Sequence, residues 1–236
     1  MKKFKKVILP LFLLSTLWTK AQTIDIGTVT DIDGNIYRTV VIGKQIWMAE
    51  NLKTTTYNNG IKILFVTSDS IWQNLNNGAY CWYHNTDSNA TKYGALYNWY
   101  AVRSGNLCPA GWRVPTDENW IQLEGYIDTK YKANDAIWNT PMLRGYNAGK
   151  RLKSKFGWNS NGNGFDSFGF NALPAGERSG NKYFFRHIGN NAFWWCSTEL
   201  DTSLSWYRCF VFFDDRIIRN THPKTMGFSV RCVKDL

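Results

Sequence analysis

The stretch FWWCSTELDTSLSWYRCFVFF, Phe193–Phe213, decides how the chain folds. Phe193–Cys196 and Trp206–Phe213 are aromatic and strand-forming, and the polar run from Ser197 to Ser205 between them reads as a connection, so the spacing predicts a β-hairpin. Alternation along the second strand puts Trp206, Arg208, Phe210 and Phe212 on one face and Tyr207, Cys209, Val211 and Phe213 on the other. The second set is expected inside, with Trp206, Arg208 and Phe212 facing solvent.

The hairpin also frames the cysteines. The chain has five: Cys81, Cys108, Cys196, Cys209 and Cys232. None stands in a CxxC or Cys/His spacing suited to a metal, and His84, His187 and His222 lie far apart, so no metal site is expected. In the hairpin Cys196 is expected opposite Cys209, a bond worth about 3 kcal/mol in the chain-entropy model. Cys108–Cys232 would then tie the middle of the chain to its end, worth about 4.7 kcal/mol in the same model. Cys81 is the expected odd thiol.

Outward from this core, Thr28–Thr30 and Tyr37–Ile42 flank Asp33, Gly34 and Asn35, a turn signal that predicts an opening hairpin. Asp31, Asp33 and Asn35 share the spacing of calcium ligands, but the glycine falls at the fourth position and no Glu at the twelfth, so a plain turn is expected. Gln45–Leu52 continues the sheet. Tyr93, Leu96, Tyr97 and Tyr100 recur at i, i+3, i+4 and i+7, predicting an amphipathic helix over 93–102. A second helix is expected after Pro115, capped by Thr116, with Asp117 and Glu118 in its first turn and Trp120, Leu123 and Ile127 buried. Residues 134–171 read as a long ordered loop region held by Trp138, Trp158, Phe165, Phe168 and Phe170. Arg178–Ile188 reads as a hairpin around Gly180 and Asn181.

Residues 1–21 combine Lys2, Lys3, Lys5 and Lys6 with an apolar stretch from Val7 to Trp18 and the small Ala21, the pattern of a secretory signal peptide. The apolar run is shorter than the span of about 20 residues a membrane needs. An exported protein is therefore expected, secreted, periplasmic or on the outer cell surface, with a leader over 22–27, one domain over 28–236 and no transmembrane segment in the mature form. The whole chain of 236 residues carries a formal charge of +10. The signal holds five of the lysines, which leaves 23 basic against 18 acidic residues. These are scattered rather than clustered, so nucleic acid is not an expected partner. No GxSxG, HExxH or GxxxxGK[ST] motif is present, and Glu199, Asp201, Asp214 and Asp215, the carboxylates open to glycosidase chemistry, read as turn residues.

Taken together, TVTDIDGNIYRTVVIGKQIWMAENLKT, YCWYHN, YGALYNWYAV, LCPAGWRVPTDENW, GFNALPAGER, FWWCSTE, WYRCF and GFSVRCVKD resemble the Fibrobacter succinogenes major paralogous domain, from about Thr28 to Asp235. That family is similar to C-type lectin-like domains and, more remotely, to formylglycine-generating enzymes. The resemblance implies an α+β, C-type lectin-like fold: two helices packed on small antiparallel sheets, termini brought together and a long ordered loop region. It implies a disulfide from the start of the second helix to the last strand and another between late strands, which Cys108–Cys232 and Cys196–Cys209 would fit. The tripeptides with which calcium-dependent lectins hold Ca²⁺ are missing, so no cofactor is expected. The expected function is a non-catalytic module that binds a glycan or protein ligand at the cell surface through its late strands. Trp206, Arg208, Asp214, Arg216, Arg219 and Asn220 are the candidate contacts, since Trp and Arg carry binding hot spots. The alternatives are an assembly component of the cell envelope using Cys81 or an aromatic patch, and a formylglycine-generating enzyme using Cys196 and Cys209.

Overall fold

A computed structural model describes residues 26–180 and 184–236. The proposed signal peptide and Asn181 lie outside the described residues. Among the described residues, thirteen short strands and five α-helices form an α+β arrangement of small, mostly antiparallel sheets. The opening hairpin forms as expected: β1 (Ile26–Thr30) pairs β2 (Ile36–Ile42) antiparallel, with Gly34 at φ +83° in the turn. β3 (Gln45–Met48) follows, and β13 (Val233–Asp235) adds beside it, so both ends of the domain meet in one sheet.

A small sheet of β4 (Leu64–Phe65), β5 (Ala79–Cys81) and β6 (Leu96–Tyr97) comes next, with α1 (Asp69–Trp72) and α2 (Asp87–Tyr93) between its strands and α3 (Trp99–Arg103) after it. The single helix expected over 93–102 is thus a helix end, a strand and a second helix. Gly94 breaks it: at φ +76°, a side chain there would meet the Leu52 carbonyl at 2.8 Å. Asn98 then caps α3 by accepting the Ala101 N–H. Tyr93, Leu96 and Tyr97 are buried all the same; their periodicity reports a shared core rather than one helix.

α4 (Asp117–Ile127) starts where the sequence places it. Thr116 and Asn119 exchange side-chain and backbone hydrogen bonds in a capping box, and Trp120, Leu123 and Ile127 are buried. Residues 134–171 carry more regular structure than a loop region. They supply β7 (Met142–Arg144) and α5 (Ala148–Leu152); Trp138, Trp158, Phe168 and Phe170 are buried, whereas Phe165 is exposed. β8 (Glu177–Arg178) and β9 (Phe185–Arg186) pair antiparallel.

The central sheet runs β10 (Asn191–Glu199), β11 (Leu204–Val211), β12 (Ile217–Pro223) and β7. Both of its faces are covered. Trp194 and Phe210 pack with Trp47, Trp120 and Phe170 on the α4 side, while Phe193, Trp195 and Tyr207 pack with Tyr97, Trp99 and Phe228 on the other. This double burial overturns the expectation of one solvent-facing side. Arg208 is buried and Trp206 and Phe212 are half-buried, while Phe213, expected inside, is exposed in the turn after β11.

The Cys108–Cys232 disulfide forms, linking positions 124 residues apart. The Cys196–Cys209 bond does not. The hairpin register sets Phe193, not Cys196, opposite Cys209. Alternation then sends Cys196 to the Trp194 side and Cys209 to the Trp195 side, into separate cores. Cys81, Cys196 and Cys209 are all free and buried.

Candidate functional site

The six expected contact residues do not converge on one patch. Three of them meet on the α4 side. Asp117 and Glu124 lie two turns apart on α4 and point at the sheet, where Arg208 on β11 stands directly opposite Arg219 on β12. Arg208 donates Nε–H to Glu124 at 2.6 Å and an NH1 hydrogen to Asp117 at 2.7 Å. Arg144 on β7 donates from Nε and NH2 to Glu124 at 2.8 to 3.0 Å, and also to the Trp138 carbonyl. Arg219 grips Asp117 with Nε at 2.9 Å and NH2 at 2.7 Å. Two carboxylates and three guanidiniums thus form one continuous chain from the core to the surface.

Its charges are set by that packing. Burial alone would raise the Asp117 pKa, but hydrogen bonds from Arg219 and Arg208 hold it below the ordinary carboxylate value. Burial would lower the pKa of Arg208, but Glu124 and Asp117 push it above the usual arginine range. The inner end is dry: the side chains of Arg144, Glu124 and Arg208 are fully buried. The outer end reaches solvent, where the Arg219 guanidinium lies 3.5 Å from the centroid of the Trp206 ring.

The remaining candidates sit elsewhere. Asn220 faces the opposite side of the sheet, its amide 3.3 Å from the Met142 sulfur. Asp214 and Arg216 close their own turn after β11, with bonds of 2.8 to 3.0 Å. The four carboxylates considered for glycosidase chemistry divide between the two ends of β11. Glu199 binds Lys224 at 2.7 Å and Asp201 accepts the Ser203 and Leu204 N–H groups at one end; Asp214 and Asp215 occupy the other.

Nothing in the local sequence around residue 117 or 124 marks those acids as partners of Arg208. Lys153 is a similar case: it reads as part of a basic run, yet its amine is buried and donates to the Val211 and Asp214 carbonyls at 3.0 Å each. At the opening turn Asp31 accepts the Asp33 and Asn35 N–H groups and the Tyr37 hydroxyl, and Asp33 accepts from Thr54, Thr55 and Thr56. The carboxylates with calcium-like spacing therefore serve as turn and loop anchors. Among the described residues, no group of three or more His, Cys, Asp or Glu side chains is placed to hold a metal ion, and no helix is long and apolar enough to cross a membrane.

The family model of the Fibrobacter succinogenes major domain matches residues 40–234, which take in the central sheet, α4 and the disulfide. The chain belongs to that family. No curated protein and no solved structure matches it. In this Fibrobacter succinogenes major domain, the α4 side of the central sheet ends at the rim in a Trp206–Arg219 stack, backed by the ion chain beneath.

Proposed function

We propose that this chain is an exported, non-catalytic binding module with a C-type lectin-like fold that engages a glycan or protein ligand through the rim of its central sheet. The observation that carries this reading is the Trp206–Arg219 stack. Arg219 is held on the ring by a two-point grip on Asp117, so a large aromatic surface and a cation are fixed before any partner arrives, which cuts the ordering cost of binding. The lectin-like reading is supported by the sheet that unites β1 with β13, by the disulfide from the segment ahead of α4 to the residue before β13, and by the long segment at 134–171. Export is supported by the composition of residues 1–21.

The buried thiols favour binding over formylglycine-type chemistry. Cys196 and Cys209 occupy opposite faces of the sheet, and burial pushes the Cys196 thiol up to about 12 and that of Cys209 well above its ordinary value. Cys81 is fully buried as well, which takes away the thiol handle of the envelope-assembly alternative.

Glycan arrays and cell-surface binding by the protein expressed from the full chain test the proposal. Trp206→Ala is expected to lower binding at least about tenfold while leaving the circular dichroism spectrum unchanged. Wild-type binding by a folded Trp206→Ala protein would refute the assignment of this rim.

A further inference from the structure

A second concave surface, away from the central sheet, lies between the opening turn and α2. The opening turn, the 53–56 segment, Trp82 and α2 enclose a cavity of about 300 Å³ whose walls include Asp33, Asn35, Lys53, Thr55, Trp82 and Thr91. A smaller cavity of about 140 Å³ adjoins it and shares Lys53 and Thr91, with Glu50, Lys92 and Tyr93 among its further walls. Together they make an elongated groove along α2.

The walls are pre-organised. Asp33 holds Thr54, Thr55 and Thr56 through four hydrogen bonds of 2.5 to 3.1 Å, which ties the 54–56 segment to the hairpin turn. Asn35 is fixed by donating its amide to Asp31 at 2.9 Å. Trp82 is half-buried against Tyr80, with ring centroids 5.1 Å apart. Within this rigid frame Trp82, Lys53 and Asn35 bring an indole N–H, an amine and an amide to the cavity wall.

An aromatic wall beside a rim of hydroxyl, amide and amine groups suits a ligand with an apolar face and a hydroxyl-bearing edge. A pyranose has both, and an elongated groove with two adjoining chambers suits consecutive rings of a chain. We infer that the groove between the opening turn and α2 binds a glycan chain, with a pyranose ring stacked on Trp82 and its hydroxyls engaged by Lys53, Asn35 and Thr91.

This site is separate from the Trp206 rim, and the experiment keeps the two apart. The ¹⁵N-labelled protein from the full chain is titrated with cellohexaose, xylohexaose, mannohexaose and hexagalacturonate, following the indole N–H resonance that disappears in Trp82→Phe. A saturable shift of that resonance with at least one oligosaccharide is expected. Thr91→Arg, on the exposed side of α2 where it fills the wall common to both chambers, is expected to weaken that binding at least about tenfold; Trp206→Ala is expected to leave it unchanged. Lys53→Ala provides the second groove variant, with a smaller loss. The inference is overturned if no oligosaccharide moves the Trp82 resonance, if Thr91→Arg binds as wild type, or if a peptide library and not the sugars occupies the groove. Loss on Trp206→Ala with none on Thr91→Arg would likewise sink the groove while supporting the rim.

Discussion

Replacing Glu124 by Gln tests whether the buried ion chain holds helix α4 to the sheet. Glu124 accepts four close contacts, three from Arg144 and one from Arg208, and all three side chains are fully buried. Gln keeps one carbonyl oxygen but turns an amide NH₂ toward a guanidinium, so donor meets donor and two buried cations lose their shared counter-charge. Removing one partner of a buried pair costs about 3–5 kcal/mol, a large share of the 5–15 kcal/mol by which a typical domain is stable. Arg219→Ala should cost less, about 1–2 kcal/mol, because Asp117 keeps Arg208 and water reaches the vacated end. Urea unfolding measures both, as a change in midpoint at unchanged slope. A third protein sharpens the comparison: Glu124→Leu with Arg144→Met and Arg208→Leu replaces the charges by apolar volume and is expected to regain most of the loss. A Glu124→Gln protein less than about 1 kcal/mol below wild type would refute the reasoning, since it would mean the guanidiniums find other compensation.

Three further outcomes follow from the geometry. Under non-denaturing conditions Cys81, Cys196 and Cys209 should resist iodoacetamide, since all three are buried and burial pushes the thiols of Cys81 and Cys196 up to about 12; unfolding without reductant should expose all three, and a mass spectrum counts them. Cys108→Ser with Cys232→Ser should cost roughly 3–5 kcal/mol in thermal unfolding, because the bond closes a loop of 124 residues. Burial would raise the Asp33 pKa, but hydrogen bonds from Thr56, Thr55 and Thr54 outweigh it and hold the carboxyl at about 2, against 3.8 unperturbed. The stability this confers is present above pH 4 and is lost as pH falls from about 4 toward 2; the slope of stability against pH across that window should be shallower in Asp33→Asn.

The local features of this fold were legible because local chemistry decides them. Asp33, Gly34 and Asn35 form the turn, Thr116 caps α4, and Trp120, Leu123 and Ile127 line its buried face, each decided within a few residues of chain. The same kind of reading failed at 93–102. There the i, i+3, i+4, i+7 pattern was real, but Gly94 sits too close to the Leu52 carbonyl for any side chain, and that approach is long-range. The cysteine hairpin failed for a related reason. Its strands are plain in the sequence, but the register is set by packing on both faces, and Phe193 takes the place opposite Cys209.

The candidate site shows how far residue type alone can mislead. Trp206, Arg208 and Arg219 are candidate contacts because Trp and Arg concentrate binding energy, yet Arg208 lies inside, where those same properties hold a helix to a sheet. An arginine on a strand with both faces covered must find carboxylates, and the two that serve Arg208 stand on α4, more than eighty residues earlier in the chain. Asp117 could be recognised as a helix-dipole partner in the first turn of α4; that its carboxylate also anchors two strands follows only from the packing. Counter-charge is therefore the quantity that sorts these arginines. Arg208 has two carboxylates and no solvent, so its role is structural; Arg219 shares one carboxylate, sits 3.5 Å from the Trp206 ring centroid and borders water, which is why the proposed binding rim rests on it and not on Arg208.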